Sequence, residues 1–307
     1  MTAPLRISPE VADALARRAP VVCLETTLVA HGFPAGEGFV VGASSEAAVR
    51  AAGAVPATVG ILDGEVVVGL TEAELRRFGE AGAAARKVGA RDLAACCVQG
   101  ALGATTVGGT LAAVRPLGIE VMATGGLGGV HREFPHPPDV SSDLGELART
   151  SVLIVSCGVK SLLDVPATSE LLETLGIPVL GYRTDTLPLF YAAAGGPPVS
   201  ARVESAGEAA AVARAHWQLG ARSAVALARP PEPSLDDVEP LIQEALAEAV
   251  EQGVRGPAIT PFVLARLHER SGGRTLRANR ELIVGNASLA GEVAAALWKL
   301  RANEHSA

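Results

Sequence analysis

"PATVGILDGEVVVGL", residues 56–70, sets two β-rich runs on either side of Asp63-Gly64. That dipeptide is favoured in two-residue hairpin loops, where both central residues need a positive φ, so the runs read as neighbouring antiparallel strands. The surroundings read differently. Upstream, Ser8-Pro9-Glu10 has the form of a helix start, with Ser8 as N-cap and Pro9 at the first helical position. "PVVCLETTLVA" (20–30) then reads as a buried strand, and a helical pattern covers about Glu37 to Ala52. Downstream, Thr71 caps "EAELRRFGEAG" (72–82). Strand-like runs recur at "IEVMATG" (119–125), "SVLIVSCG" (151–158), "IPVLGYR" (177–183) and "RSAVALARP" (222–230), with helical patterns between most of them. A hairpin inside an alternation of strands and helices predicts a mixed sheet. From Leu235 onward the pattern is helical, with no further strand. The expected architecture is a three-layer α/β/α sandwich with a central mixed sheet and a helical C-terminal segment. No linker, repeat or low-complexity tract divides it, so residues 1–307 are expected to form a single catalytic domain.

Composition narrows the functional classes. The 307 residues are 49% hydrophobic and 3% aromatic, which implies a core of Ala, Val and Leu. A net charge of −7 without a basic run argues against a nucleic-acid partner, whose phosphates need a concentrated cationic face. The longest uncharged run, Leu93 to Val114, is broken by glycines, Gln99 and threonines. It reads as buried α/β structure rather than a membrane span. No apolar leader is visible at the amino end, and a cytoplasmic location is expected. Cys23, Cys96, Cys97 and Cys157 lie in apolar segments without C-x-x-C spacing, so they are expected to be core residues, not zinc ligands or disulfides.

Four segments carry candidate chemistry. "GATTVGGT" (103–110) has the glycine spacing and final hydroxyl of a phosphate loop but Gly109 in place of its lysine. It therefore either presents backbone N–H groups to a smaller ligand at a helix start or simply lets glycines pack closely. "ATGGLGGVHREFPHPPDVSSDLGEL" (123–147) crowds His131, Arg132, Glu133, His136, Asp139 and Asp143 behind four glycines. It reads as a solvated loop with a helix cap at Asp139 or Ser141, or as a site for a hard divalent ion and an anion. Glu25 stands within an otherwise apolar run. A carboxylate there is protonated, paired with a cation such as an arginine, or at the strand's open end. Finally, only three of the 26 basic residues are lysines, Lys87, Lys160 and Lys299. Arginine does not readily lose its proton, so a lysine at the end of the apolar strand in "SVLIVSCGVKSLLD" (151–164) suggests an amine that attacks a carbonyl carbon. Lys299 reads as an ordinary solvated helix residue.

Taken in order, "ETTLVAHGFP", "VPATVGILDGEVVVGLT", "ARKVGARDL", "GATTVGGT", "ATGGLGGVHR", "DVSSDL", "CGVKSLLD", "TPFVLARL" and "RTLRANRELIVGNA" resemble the pseudouridine-5′-phosphate glycosidase family, which includes the indigoidine-synthesis A proteins. The resemblance runs from about residue 6 to residue 297. It implies reversible cleavage of the C–C glycosidic bond of pseudouridine 5′-phosphate to uracil and ribose 5-phosphate, with Mn²⁺ as the usual metal and a homotrimeric assembly. It further implies Lys160 as nucleophile and Glu25 as proton donor. Lys87, Val107, Ser141, Ser142 and Asp143 are implied as substrate contacts, and Asp139 as the metal ligand. Two other readings stay open on the residues: a related glycosidase or lyase acting on another phosphorylated sugar, and a catalytically idle sugar-phosphate binder.

Overall fold

The computed structural model describes residues 5–34, 36–132, 139–254 and 259–304. Strand β1 (Leu5–Ile7) leads into helix α1 (Pro9–Ala16), whose N-cap Ser8 accepts a hydrogen bond from the Val11 amide as expected. β2 (Val21–Glu25) is buried throughout, but it ends earlier than the sequence pattern suggests. The Thr26 hydroxyl donates to the Val59 carbonyl and accepts from the Thr105 amide, 2.8 and 2.9 Å. Its backbone turns helical, and residues 27–31 form α2 (Thr27–His31) instead of continuing the strand. α3 (Glu37–Ala51) follows. β3 (Val55–Leu62) and β4 (Glu65–Val68) then form the anticipated antiparallel hairpin, with both Asp63 and Gly64 at positive φ.

α4 (Glu72–Ala81) carries a reciprocal capping box between Thr71 and Glu74. The uncharged run after it becomes α5 (Leu93–Val98), β6 (Gly103–Thr105) and α6 (Val107–Val114), preceded by β5 (Arg86–Val88). Among the described residues, no helix is long and apolar enough to cross a membrane. β7 (Val121–Ala123), β8 (Val130–His131), α7 (Asp143–Leu147), β9 (Leu153–Ser156) and β10 (Leu163–Asp164) come next. α8 (Val165–Thr174), β11 (Val179–Tyr182), β12 (Ala201–Val203), α9 (Ala206–Gln218) and β13 (Val225–Ala228) complete the sheet region. The C-terminal segment is α10 (Glu239–Glu251), α11 (Ile259–Arg270) and α12 (Arg274–Glu304). α10 begins four residues beyond Leu235, with Pro240 in its first turn. Strands β1, β5, β6 and β12, three residues each, escape sequence reading because so short a run shows no period.

The main sheet is mixed, in the order β1-β4-β3-β2-β7-β9-β13-β11-β12, with β6 on β3 and β5 on β6. From β3 to β12 the strands run parallel. Their side chains alternate between two cores, the pattern of strands covered on both faces. On β2, Val21 and Cys23 join α1, α6, α7 and α8, whereas Val22 and Leu24 join α3, α9 and α12. Cys96, Cys97 and Cys157 are buried like Cys23, with no disulfide among them. The chain places β3 on one side of β2 and later β7 on the other. The gap beyond the carboxyl ends of β2 and β7 is therefore a topological switch point, where open α/β sheets form ligand crevices.

The α11–α12 corner roofs that crevice and contains a buried pH-sensitive contact. His268 Nδ1 lies 2.9 Å from the Thr275 hydroxyl, which also bonds Ser271. Burial drives the His268 imidazole down to about 4, against the opposing pull of the Glu37 carboxylate. Its folded value thus lies below the free value, and between the two the unfolded chain binds more protons. Stability contributed by neutral His268 is present above about pH 6.5 and is lost as pH falls toward 4. Urea midpoints should therefore drop between pH 7 and pH 5, and drop less in His268→Gln. An equal drop in both proteins would contradict this.

Candidate active site

β2 delivers Glu25 as its last residue, and the strand's alternation points the side chain toward the α6–α7 face. It is 6% exposed. Its partner is not an arginine. The hydroxyl of Thr124, the first residue beyond β7, donates to Glu25 Oε1 at 2.5 Å and so spans the switch point. Burial raises the Glu25 carboxyl above the usual range. The Lys160 ammonium, the Thr124 hydrogen bond and Lys87 pull it down, and Asp143 pushes it further up.

Lys160 arrives from the neighbouring parallel strand, four residues past the end of β9. The Cys157 amide donates to the Gly125 carbonyl and the Lys160 amide to the Leu127 carbonyl, 2.9 and 3.1 Å, so this loop runs alongside the glycine segment after β7. Gly158 makes the turn possible. Its φ is +74°, and a Cβ there would lie 2.1 Å from the Pro188 carbonyl oxygen. On the opposite side, Lys87 projects from β5. Burial lowers its ammonium from the ordinary lysine value, and the Lys160 charge lowers it further, opposed by Asp143, Glu25 and Asp139. Its end stays open to solvent through the cavity it lines.

Glu25, Lys87 and Lys160 meet in the wall of one cavity of about 660 Å³, with Leu28, Phe190 and Ile283 among its apolar surface. The other expected residues lie beyond that wall. Asp143 Oδ1 accepts from the Gly108 amide at 2.7 Å and from the Thr106 hydroxyl at 3.1 Å. The chain's own carboxylate is thus seated at the start of α6. Gly109 serves close packing, since a Cβ would lie 2.3 Å from the Val88 carbonyl oxygen. The "GATTVGGT" segment therefore has both characters weighed from its sequence, with Asp143 as the anion. Val107, the first residue of α6, has no acceptor for its amide among the described residues. The Ser141 hydroxyl accepts from the Asp143 amide at 3.3 Å, and Ser142 precedes it as the N-cap residue of α7. Asp143 bears electrostatically on both Glu25 and Lys87, which ties this cluster to the cavity.

Asp139 Oδ2 lies 3.8 Å from His131 Nδ1. Glu133 and His136 fall outside the described residues. Among the described residues, no three His, Cys, Asp or Glu side chains converge. The half-open Asp139 carboxylate fits a hard divalent ion held by one protein oxygen and completed by water, the way Mg²⁺-like ions are commonly bound.

Three positioning features were not singled out in the sequence. Thr124 is one. Asn286 of α12, fully buried, donates to the carbonyls of Thr124 (2.8 Å) and Gly125 (3.3 Å) and accepts from the Cys157 thiol at 3.4 Å, locking both loops together. Phe190 packs against Gly126 with a left-handed φ of +65°. Only Asn286 had a visible signal, as an amide within an apolar helix.

The fold and cavity define an α/β protein in which an amine and a buried carboxyl group line one cavity at the sheet's switch point. Residues 10–296 match the family described as indigoidine synthase A like protein, and the chain belongs to that family. It is 44% identical over 299 residues to the pseudouridine-5′-phosphate glycosidase of Herpetosiphon aurantiacus, covering 96% of this chain and 98% of that one. It is 43% identical over 297 residues to the protein of the same name from Escherichia coli, covering 94% of each. Its fold also matches the crystal structure of a prealnumycin C-glycosynthase in complex with ribulose 5-phosphate. The TM-score is 0.89 at 41% identity, over 99% of both chains.

Gly158→Ala should destabilise the protein by more than about 1 kcal/mol, because both the φ and the space are wrong for alanine. Gly145→Ala is the control: it is helical, with nothing within 4 Å of the added carbon, and should be neutral or stabilising by up to about 1 kcal/mol. Urea denaturation of both variants measures the contrast, and equal stabilities would refute it.

Proposed function

We propose that this chain is a pseudouridine-5′-phosphate glycosidase that cleaves the C–C glycosidic bond reversibly through a Schiff base on Lys160. The observation that carries the reading is the meeting of Lys160 with buried Glu25 in one cavity, beside the cationic Lys87. The names of near full-length relatives support the substrate.

A C-glycoside leaves its electrons on carbon, so direct displacement by water would expel a carbanion. Covalent catalysis divides the problem. Protonated Glu25 gives its proton to the ribose ring oxygen while the neutral Lys160 amine attacks C1′, and the C1′–O4′ bond opens. The nitrogen sheds a proton, and uracil C5 gains one. The nitrogen lone pair then expels the C5–C1′ bonding pair to the base, leaving uracil and a lysine iminium. Water adds to that iminium and releases ribose 5-phosphate and the free amine. Burial of Glu25 favours the protonated carboxyl that the first step consumes. Lys87 neutralises substrate phosphate, and the Val107 amide with Ser141, Ser142 and Asp143 orients the sugar phosphate. Asp139 would hold Mn²⁺ together with water ligands, and the ion supplies electrostatic organisation of the uracil end. The working form in this reading is a cytoplasmic homotrimer.

Uracil release from pseudouridine 5′-phosphate, set against uridine 5′-phosphate, tests the activity. Lys160→Arg should fold normally and lose turnover, since its charge persists but its amine chemistry does not. Full activity of that variant would refute the mechanism. The pH profile provides a second test. Glu25 acts in its protonated form, so activity should show an alkaline limb, falling as pH rises through its raised pKa. Glu25→Gln should abolish that limb and cost about 10²–10⁴ in kcat. An unchanged alkaline limb would remove Glu25 from the role.

A further inference from the structure

The turn that carries Lys160 has two sides. On the cavity side its backbone is tied to Leu127. On the other side it runs through Ser161 and Leu162 into β10, which pairs antiparallel with β8 so that Leu163 lies opposite His131. Arg132 follows β8 immediately, and its guanidinium comes back beneath the turn. Nη2 donates to the Ser161 carbonyl at 2.5 Å and Nε to the Leu163 carbonyl at 3.2 Å. The outer edge of the guanidinium meets Glu239 in the first turn of α10, at 2.9 and 3.4 Å. Gln243, one turn further along α10, holds the same carboxylate at 2.6 Å.

We propose that Arg132 is a positioning residue for Lys160. It grips the Ser161 and Leu163 carbonyls in the turn that directly follows the nucleophile, and Glu239 fixes its orientation from the C-terminal helical segment. The fork shape of the guanidinium is essential, because two carbonyls and a carboxylate must be served at once from one plane. An ammonium reaches one of them well. Ser161 is buried, so its carbonyl has little access to water if the arginine is lost. The turn would then sample other arrangements, and the amine would spend less time aligned with C1′. A displacement of about 1 Å can cost on the order of 10²-fold in such a step. Arg132 touches neither sugar nor base in this role.

This inference rests on the Lys160 reaction proposed above, and the test separates the two. Wild type, Arg132→Lys and Glu239→Gln are mixed with saturating ribose 5-phosphate, and the rate of borohydride-trapped adduct formation is followed by intact mass. Thermal midpoints and ribose 5-phosphate affinity are measured in parallel. The expected result is a fall of about 10²-fold in trapping rate for Arg132→Lys and a smaller fall for Glu239→Gln, with affinity nearly unchanged and the thermal midpoint lowered by no more than about 2–4 °C. Trapping by Arg132→Lys at the wild-type rate would overturn the positioning role and leave the Lys160 reaction standing. So would a rate loss matched by equal losses of affinity and stability, which marks a merely structural residue. A wild-type chain that forms no adduct would overturn the Lys160 reading, and this inference with it.

Discussion

The structure depends on a buried carboxyl group held by a single hydroxyl across the gap between two parallel strands. Glu25 ends β2, Thr124 follows β7, and their 2.5 Å hydrogen bond closes the seam where the sheet's winding reverses. Burying an acid without a full ion pair favours its neutral form, which is the form a proton donor needs. Two ammonium groups share the cavity and limit that effect. Glu25 is thereby balanced between desolvation and charge, rather than locked into one protonation state by an arginine partner.

The remaining architecture holds this seam in place. Loops leaving adjacent parallel strands diverge naturally, yet the loops after β7 and β9 run side by side, joined by backbone hydrogen bonds at Gly125 and Leu127. Asn286 reaches into them from the long terminal helix and satisfies two of their carbonyls. On the opposite face, Asp143 occupies the start of α6, where unsatisfied amides favour an anion. Its charge opposes ionisation of Glu25 and supports that of Lys87. α12 therefore does more than cover the sheet: it fixes the backbone from which Thr124 and Lys160 act.

Much of this was legible in the residues. Asp63-Gly64 announced the hairpin, and the scarcity of lysine drew attention to Lys87 and Lys160, which do meet in one cavity. Glu25 was conspicuous because a carboxylate interrupts an apolar strand. What sequence could not show depends on contacts between distant segments. The strand breaks off after Glu25 because the Thr26 hydroxyl donates to the Val59 carbonyl of β3 and accepts from the Thr105 amide of β6. Nothing local to "ETTLVA" reveals that. Likewise, "GATTVGG" resembles an anion loop, but only the fold shows that Asp143 is the anion. Of the alternatives open for Glu25, pairing with an arginine is the one the fold does not use: its hydrogen-bond partner is Thr124, and the nearby charges that act on it include Lys160 and Lys87.

The central claim is that one particular amine of this cavity becomes bonded to the sugar. Peptide mapping after borohydride reduction in the presence of ribose 5-phosphate tests it most directly, because Lys87 and Lys160 line the same cavity but lie in different peptides. The account predicts a reduced pentose-phosphate adduct on Lys160 with Lys87 unmodified. An adduct on Lys87, or none on either lysine, would contradict it.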